Sequence, residues 1–358
     1  MNHYGVIMAG GGGTRFWPLS REKKPKQFIN LTGNDAMVNE AVDRMATVID
    51  PSCIFIVTSE VQADMMAKVT SSRIPPNNII TEPAARNTAA CIGLSAITLL
   101  KKYGDGVMLI TPSDHYIQDV PALSKSFATA ISTAENTDRI VTIGLEPTFP
   151  STGYGYIKYD KASLDDVKPV IEFREKPDEK RAQTYIDSGE YLWNSGMFIW
   201  KASVVLDRLK EFAPDIYEVL LRIGDAINTP VENDVLHELY PTIRKISIDY
   251  AVMEPSASRG EVVVIPTDCN WNDVGSWDMM EVLHDADADG NIILGDAVPV
   301  DVKNSIIYSS HRTVTAVGVE GLVIVETPDS IMICKKDKAQ DVKKIVEKLK
   351  EEGRSELL

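Results

Sequence analysis

Four consecutive glycines near the N-terminus are the first residues in the chain whose type and spacing suggest chemistry. Residues 10–13 are all glycine, and Thr14 and Arg15 follow directly. Four glycines in a row suit neither a helix nor a strand, because each loses much backbone freedom on folding. Residues 15–26 contain a single acid, Glu22, and five cations: Arg15, Arg21, Lys23, Lys24 and Lys26. This combination indicates a loop whose backbone N–H groups and nearby cations bind a small, highly anionic ligand.

Two other kinds of glycine loop do not fit the sequence. A P-loop requires GxxxxGK[ST], and no Gly-Lys-Ser/Thr follows. The dinucleotide fingerprint GxGxxG also fails, because its sixth position is Arg15 when counted from Gly10 and Phe16 when counted from Gly11. A simple tight turn would explain one or two of the glycines, but not four of them beside five cations.

Composition narrows the class of partner. The chain has 358 residues and a net charge of −15, which argues against nucleic acid or an anionic membrane as its main partner. It contains no apolar run of the roughly 18 to 20 residues needed to span a membrane, and no signal-peptide pattern. The four cysteines form no CxxC pair. They indicate reduced thiols and a cytoplasmic location, with neither a zinc site nor a disulfide framework.

Apolar runs typical of strands alternate with helical patterns over the first 145 residues. The strand-like runs are 4–8, 53–59, 78–83, 107–110 and 140–144, and the helical stretches are 34–48, 88–103 and 122–135. This alternation predicts an α/β fold with a Rossmann-like, mostly parallel mixed sheet covered by helices on both faces. Ligands of such sheets bind beyond the carboxyl ends of the strands, where the glycine loop, TEPAARNT and TPSDH all fall.

The pattern changes after residue 285. Short β-type runs follow one another between residues 292 and 334, and residues 339–351 form an amphipathic helical pattern. We therefore expect two domains, a catalytic domain over residues 1–285 and a small β-helix-like domain over residues 286–358 that ends in a helix. We expect the second domain to serve packing and to support a homodimer.

Eight motifs, in order, resemble those of sugar-1-phosphate nucleotidyltransferases. They are GGGGTRFWPLSREKKPKQF, TEPAARNTAA, TPSDHYI, STGYGYI, FREKPD, YLWNSGMFIW, IDYAVME and WNDVGSW, and they span residues 10–277. The FWPLS and PKQF forms are closest to the mannose-1-phosphate guanylyltransferase branch of that family. The resemblance implies that the chain transfers GMP from GTP to mannose 1-phosphate, giving GDP-mannose and pyrophosphate.

This reaction makes particular demands on a protein. The attacking oxygen of mannose 1-phosphate is already ionised near neutral pH, so the reaction needs no general base. Catalysis must come from positioning two anions and stabilising charge. The resemblance implies a magnesium ion, or another divalent cation, held by Asp114 and Asp273. It implies a catalytic set of five residues: Arg15, Lys26, Asp114, Lys176 and Asp273.

The resemblance also assigns binding residues. For the nucleotide these are Gly10, Gly11, Gly12, Gly13, Thr14, Arg15, Lys26, Pro83, Asn87, Thr88 and Asp114. For the sugar phosphate they are Gly153, Tyr154, Glu175, Lys176, Asn194 and Gly196. Asn87 and Thr88 could instead cap the helix that begins there. Glu175 and Lys176 would point to opposite faces of an extended strand, so both reach one ligand only if the chain bends.

Two other functions stay open at this point. One is a nucleotidyltransferase for another sugar or base, because the phosphate-binding residues are shared across the family. The other is a catalytically silent regulatory subunit, which the presence of all five implied catalytic residues disfavours.

Overall fold

The computed structural model describes all residues of the chain, Met1–Leu358, and they divide into two compact units. The first unit comprises Met1–Gly10, Ala41–Pro112 and Ile117–Trp271. The second comprises Gly11–Glu40, Ser113–Tyr116 and Asn272–Leu358. The domain boundary at residue 285 stays a prediction. The second unit groups the C-terminal residues with the segments that contain Arg15, Lys26, Asp114 and Asp273.

The chain forms seventeen strands and eleven α-helices. The strands are β1 (Asn2–Met8), β2 (Ile54–Ser59), β3 (Ile79–Glu82), β4 (Gly106–Pro112), β5 (Tyr116–Ile117), β6 (Ile140–Leu145), β7 (Tyr156–Tyr159), β8 (Lys168–Arg174), β9 (Tyr191–Lys201), β10 (Val262–Pro266), β11 (Trp271–Asn272), β12 (Ile292–Leu294), β13 (Ala297–Val300), β14 (Ile306–Ser309), β15 (Val314–Val317), β16 (Leu322–Glu326) and β17 (Ile331–Lys335). The α-helices are α1 (Met37–Met45), α2 (Glu60–Val69), α3 (Asn87–Tyr103), α4 (Val120–Asn136), α5 (Glu179–Ser188), α6 (Ala202–Phe212), α7 (Pro214–Ala226), α8 (Glu232–Leu239), α9 (Glu254–Ser258), α10 (Met280–Leu283) and α11 (Lys343–Glu351).

A nine-stranded mixed sheet forms the centre of the first unit. Its order is β3-β2-β1-β4-β9-β6-β10-β8-β7, and β8 and β9 run opposite to the other seven strands. Along β4, residues 107–111 are all buried, as expected for a strand covered on both faces. The mostly parallel mixed sheet predicted from the sequence is confirmed.

Helices α3, α6 and α7 pack on one face of this sheet. Their apolar side chains share a core with alternate residues of β1, β2 and β4, including Val6, Val57 and Ile110. A Cβ atom added to Gly93 of α3 would lie 2.4 Å from Leu220 Cδ1 of α7. The small residues of α3 therefore allow these two helices to approach closely.

Short parallel strands in the second unit form the coils of a β-helix. Strands β12, β14 and β16 pair in parallel in one sheet, and β13 and β15 pair in parallel in another. Val302, Ile307, Ala316 and Ile324 form a small apolar cluster with neighbouring residues of these coils. Strand β17 then pairs antiparallel with β16. The predicted β-helix-like region that ends in a helix, here α11, is confirmed.

The second unit has a larger core that includes aromatic residues of the N-terminal motif. Phe16 and Trp17 are buried in one cluster with Trp277 and with Val346 and Leu349 of α11. The rings of Phe16 and Trp277 lie 5.2 Å apart, and Trp17 Nε1 donates a hydrogen bond to the Leu357 carbonyl oxygen at 2.9 Å. The Phe-Trp pair of the motif is therefore a packing element that joins the loop to the C-terminal residues.

Glu326, at the end of β16, holds the loop that follows β14. Its Oε1 accepts a hydrogen bond from Arg312 Nε at 2.8 Å. Its Oε2 accepts backbone N–H bonds from Ser310, His311 and Arg312 at 3.1, 2.9 and 3.2 Å. The hydrogen bond from Arg312 and these three backbone donors favour the charged carboxylate and lower the pKa of Glu326 to about 2, although burial opposes the shift.

This lowered pKa predicts acid sensitivity. The unfolded carboxyl titrates near its ordinary value of about 4.3, so its contribution to stability is complete above that pH and is lost as the pH falls towards 2. We expect Glu326→Gln to lower the melting temperature at pH 7 and to flatten its decline between pH 5 and pH 2.5. Melting curves across this range, with the exposed Glu351→Gln as control, test this. Parallel curves for Glu326→Gln and the wild type would contradict it.

Candidate active site

The fold requires glycine at position 13, whether or not a ligand binds. Gly13 lies in the left-handed region at φ +56°, and a Cβ atom there would be 2.5 Å from Lys26 Cβ and 2.7 Å from Lys26 N. The Ser20 hydroxyl donates to the Gly13 carbonyl oxygen at 2.7 Å and fixes the turn. Glycine at this position therefore lets the segment around Lys26 pack directly against the loop.

Neither the backbone conformation nor packing requires glycine at positions 11 and 12. Both are exposed, and neither has a positive φ. A Cβ atom on Gly11 would meet no atom within 4 Å, and one on Gly12 would meet only Thr14 Cγ2, at 3.8 Å. The fold leaves open space at these two positions, as a loop that admits a ligand to its backbone requires.

Lys26 brings together three segments of the second unit that are far apart in sequence. Its side chain is buried, and Nζ donates to the Asp114 carbonyl oxygen at 2.8 Å and to Asp114 Oδ2 at 3.1 Å. Nζ also donates to the Asp273 carbonyl oxygen at 2.6 Å. Three of the residues expected at the phosphate and metal site therefore lie together. Arg15, which is exposed, lies near the same segment, with Nη1 at 3.5 Å from the Gly275 carbonyl oxygen.

The Asp114 carboxyl group is held in its charged form. Desolvation by its surroundings raises its pKa, but the positive charge of Lys26, the charge of His115 and the hydrogen bond from Lys26 together lower it below its ordinary value. The side chain remains 39% exposed. Asp114 can therefore present a carboxylate oxygen to a cation while it keeps its contact with Lys26.

Asp273 precedes a strained turn. Val274 is fully buried and has φ +45°, a conformation that is rare for a β-branched residue. Its N–H donates to Asn272 Oδ1 at 2.7 Å. A Cβ atom on Gly275 would lie 3.2 Å from Asp273 Oδ2. Such strain persists only where the surroundings enforce it, and it is common at functional sites. Nothing in the WNDVGSW motif alone indicates the hydrogen bond to Asn272 or the strained conformation of Val274.

In the first unit, the bend required after β8 is present. Lys176 has φ +45°, and its Nζ lies 3.1 Å from Glu175 Oε1. The two side chains therefore meet on one side of the chain. A Cβ atom on Gly155 would lie 2.7 Å from Glu175 Oε2 and 3.3 Å from Asn194 Cβ. Glycine at position 155 thus makes room for Glu175 beside Asn194.

Three hydrogen bonds orient the Asn194 amide, one of them from Thr142 Oγ1 to its Oδ1 at 3.4 Å. Asn194 Nδ2 donates to Asp249 Oδ1 at 3.0 Å, and Asn194 Oδ1 accepts from the Gly196 N–H at 3.2 Å. Burial, followed by the charge of Glu175, raises the pKa of Asp249 to about 6. Asp249 lies in the IDYAVME motif, but no pattern in the sequence predicts its contact with Asn194.

The other two expected sugar-phosphate residues have different surroundings. The Gly153 N–H donates to Ser151 Oγ at 3.1 Å. The Tyr154 ring packs against Trp193 and Trp271, with ring centroids at 5.0 and 5.4 Å. Tyr154 is thus part of an aromatic cluster.

The TEPAARNT segment lies at the start of α3. Asn87 has φ +68°, and its Oδ1 accepts from the Thr88 N–H at 2.8 Å, so it satisfies an N–H group of the first helical turn. Thr88 Oγ1 accepts from the Ile248 N–H at 2.8 Å. Asn87 therefore makes a local bond within the first turn of α3, whose N-cap residue is Arg86, and Thr88 tethers Ile248 to this helix. The nucleotide-binding roles of Asn87 and Thr88 stay predictions. Pro83, the third expected residue, is half-buried.

Glu82 is a further residue that our sequence analysis missed. Its carboxyl group is buried and accepts a hydrogen bond from the Tyr240 hydroxyl, and burial raises its pKa. A Cβ atom on Gly10 would lie 3.3 Å from Glu82 Oε2. The only feature of the sequence that could have indicated Glu82 is its position in TEP, at the end of a predicted strand.

Two family models match the chain. A model described as nucleotidyl transferase matches residues 4–290. The chain belongs to this family. A second model, described as a MannoseP isomerase/GMP-like beta-helix domain, matches residues 295–349, the region that contains most of the β-helix coils.

Individual relatives match over nearly the whole chain. A Klebsiella pneumoniae mannose-1-phosphate guanylyltransferase is 39% identical over 355 residues, which are 98% of this chain and 74% of the relative. The xanthan biosynthesis protein XanB of Xanthomonas campestris (strain B100) is 39% identical over 98% of this chain and 74% of its own length. A solved Thermus thermophilus structure, described as a mannose-1-phosphate geranyltransferase, has a TM-score of 0.86 and 31% identity, and covers 98% of this chain and 100% of that one.

These matches confirm the family resemblance and the fold that the sequence predicts. They do not assign roles to individual residues, so the catalytic and binding roles stay predictions. None of the helices has both the length and the apolarity to cross a bilayer.

The contrast between Gly11 and Gly13 can be tested by paired substitutions. Gly13→Ala should lower stability by about 1–3 kcal/mol, since alanine is strained at this φ and overlaps Lys26. Gly11→Ala should leave the melting temperature unchanged but lower kcat/KM about tenfold or more, because a methyl group would hold the phosphates away from the backbone. Melting curves and pyrophosphate-release kinetics of both variants test this. Gly11→Ala with wild-type kinetics would show that no ligand approaches there.

Proposed function

We propose that the chain transfers GMP from GTP to α-D-mannose 1-phosphate and forms GDP-mannose and pyrophosphate. The observation that carries this proposal is the cluster of Lys26, Asp114 and Asp273, joined by three hydrogen bonds from one buried ammonium group. The relatives named mannose-1-phosphate guanylyltransferase support the choice of GTP and mannose 1-phosphate.

The reaction forms one bond and breaks another at the same phosphorus atom. An oxygen of the sugar phosphate attacks the α-phosphorus of GTP, and the bond from that phosphorus to the bridging oxygen of the β-phosphate breaks. Pyrophosphate leaves with the bonding electrons. Since the nucleophile is already an anion, the protein has no proton to remove from it. The protein's work is to hold two repelling anions in line and to stabilise the charge that develops.

The glycine loop and its cations fit the triphosphate. The backbones of Gly11 and Gly12 face open space, so their N–H groups can approach phosphate oxygens. Arg15 is exposed, and its planar guanidinium group can bind two oxygens at once. Lys26 adds a fixed positive charge, because its contacts with Asp114 and Asp273 restrict its position.

The carboxylates of the same cluster fit a divalent metal, which this family generally uses. No group of three or more His, Cys, Asp or Glu residues in the chain could hold a metal by itself. Magnesium, however, takes few protein carboxylates and completes its shell with phosphate oxygens and water. Asp114 and Asp273 would hold it. Bound there, it would act as a Lewis acid that offsets negative charge on the phosphates.

The residues after β8 and in β9 fit the sugar phosphate. Lys176 is 59% exposed and can bind the phosphate, whereas the Glu175 carboxylate, only 8% exposed, can accept hydrogen bonds from sugar hydroxyls. Asn194 lies across Gly155 from Glu175, and its Oδ1 accepts from the Gly196 N–H in the same strand. The homodimer and the cytoplasmic location expected from the sequence belong to this proposal as well.

Substrate preference is tested with a matrix of four nucleoside triphosphates and several sugar 1-phosphates, scored by pyrophosphate release. GTP with mannose 1-phosphate should give the highest kcat/KM. A tenfold or greater preference for another base or for glucose 1-phosphate, about 1.4 kcal/mol in transition-state binding, would overturn the proposed substrates. Absence of turnover with every pair would favour the silent-subunit alternative.

The metal role of Asp273 is tested by Asp273→Asn. The substitution removes the carboxylate charge but keeps the backbone carbonyl to which Lys26 donates. We expect kcat to fall about a hundredfold or more, as for a lost electrostatic stabiliser, while the melting temperature is unchanged. Asp114→Asn should lower kcat similarly but should also lower the melting temperature, because it removes the carboxylate charge beside the buried Lys26 ammonium group. The kcat of the double variant should be little below that of either single variant, because both residues serve one ion.

Two further measurements separate this role from a structural one. The magnesium concentration that gives half-maximal turnover should be higher for Asp273→Asn than for the wild type. For Asp268→Asn, which changes an exposed residue, it should equal the wild-type value. If Asp273 only stabilises its turn, the variant will melt earlier but keep normal turnover and magnesium dependence in its folded fraction.

A further inference from the structure

A π-helix and the α-helix that follows it each contact one residue of the proposed sugar site. The π-helix spans Asp249–Met253 and continues directly into α9. Asp249, its first residue, accepts a hydrogen bond from Asn194 Nδ2 at 3.0 Å. Glu254, at the start of α9, accepts one from the Glu175 backbone N–H at 3.3 Å through Oε1. π-Helical turns are rare and occur frequently at functional sites.

The arrangement concentrates carboxylates around one lysine. Glu175 pairs with Lys176, and Asp249 is held next to them through Asn194. Burial raises the pKa of Asp249 most, the charge of Glu175 raises it further, and the charge of Lys176 lowers it, so the three charged groups interact. Two partly buried carboxylates with one cation are costly for folding alone. Hydrogen-bond donors from a ligand would offset that cost.

We propose that Asp249 is a second sugar-binding carboxylate, which accepts hydrogen bonds from hexose hydroxyls together with Glu175 and holds the Asn194 amide in position. This inference rests on the proposed function. A hexose 1-phosphate carries neighbouring hydroxyl donors and an anionic phosphate. Carboxylates fit the hydroxyls and repel a misplaced phosphate, so the pair selects both the orientation of the sugar and the arrangement of its hydroxyls.

A purely structural role for Asp249 makes a different prediction. A carboxylate at the first residue of a helix is stabilised by the helix dipole. Asparagine at this position keeps the size and a hydrogen-bond acceptor for Asn194 but loses the charge, so a structural role through the helix dipole predicts a lower melting temperature with an unchanged KM for mannose 1-phosphate. A sugar-binding carboxylate, in contrast, loses an acceptor and its charge in this variant.

Steady-state kinetics and melting curves of Asp249→Asn separate the two. We expect the KM for mannose 1-phosphate to rise about ten- to a hundredfold, as for a lost hydrogen bond to a charged group. The KM for GTP should stay within twofold, and the melting temperature should not change. Discrimination between mannose 1-phosphate and glucose 1-phosphate should also weaken. The matched control is Asp215→Asn. The Asp215 carboxylate binds exposed Arg244 in the same unit, and its replacement should leave both KM values, the melting temperature and the sugar discrimination unchanged.

The outcomes are distinguishable from failure of the proposed function. If the wild type releases no pyrophosphate from GTP and mannose 1-phosphate, the proposed function fails. If the wild type is active and Asp249→Asn keeps its KM for mannose 1-phosphate, the inference is overturned. Asp249→Ser, which retains a small hydroxyl acceptor, is the second variant and should show the same selective rise in KM. If neither variant folds, Asp249 has a structural role and the inference is also overturned.

Discussion

The buried ammonium group of Lys26 is the interaction on which the candidate phosphate site depends. Taking a charged group out of water is costly unless its hydrogen bonds are replaced. Asp114 supplies a carbonyl oxygen and a carboxylate oxygen, and Asp273 supplies a carbonyl oxygen, so three acceptors surround Nζ. Because two of these acceptors are backbone atoms, the lysine fixes the paths of both chain segments and not only their side chains. Both carboxylate-bearing residues are therefore placed by one cation.

Other features of the second unit follow from this placement. Lys26 packs against Gly13 so closely that only glycine fits there. The turn after Asp273 forces buried Val274 into the left-handed region, and the same aromatic core that holds Val274 also holds Phe16. Helix α11 contributes to this core through Val346 and Leu349. The C-terminal residues thus stabilise the segment between Gly13 and Lys26, which is a more specific role than the general packing expected from the sequence.

The sequence predicted the repeating parts of the fold well, because apolar periodicity determines which residues are buried. The strands before TEPAARNT and TPSDH, helix α3 and the C-terminal coils are all where the patterns indicate. Apolar periodicity could not predict contacts between residues that are far apart in the sequence. YLWNSGMFIW reads as a buried strand, but nothing local shows that β9 inserts antiparallel between β4 and β6. Likewise, no pattern separates Gly13, which the fold requires, from Gly11, beside which the fold leaves space.

In the candidate sugar site, too, local sequence patterns predict the local geometry but not the contacts between distant residues. The need for a bend at Lys176 could be argued from strand geometry, and its positive φ supplies that bend. The partnership of Asn194 with Asp249 spans 55 residues and depends on where a π-helix begins, so no local pattern encodes it. Phosphates and hydroxyls make opposite electrostatic demands on a protein. In this chain the cations Arg15 and Lys26 accompany the glycine loop, whereas the carboxylates of Glu175 and Asp249 accompany Asn194. The proposed triphosphate and sugar sites therefore differ in their balance of charge, although each combines both signs: Asp114 lies beside Lys26 in the first, and Lys176 lies beside Glu175 in the second.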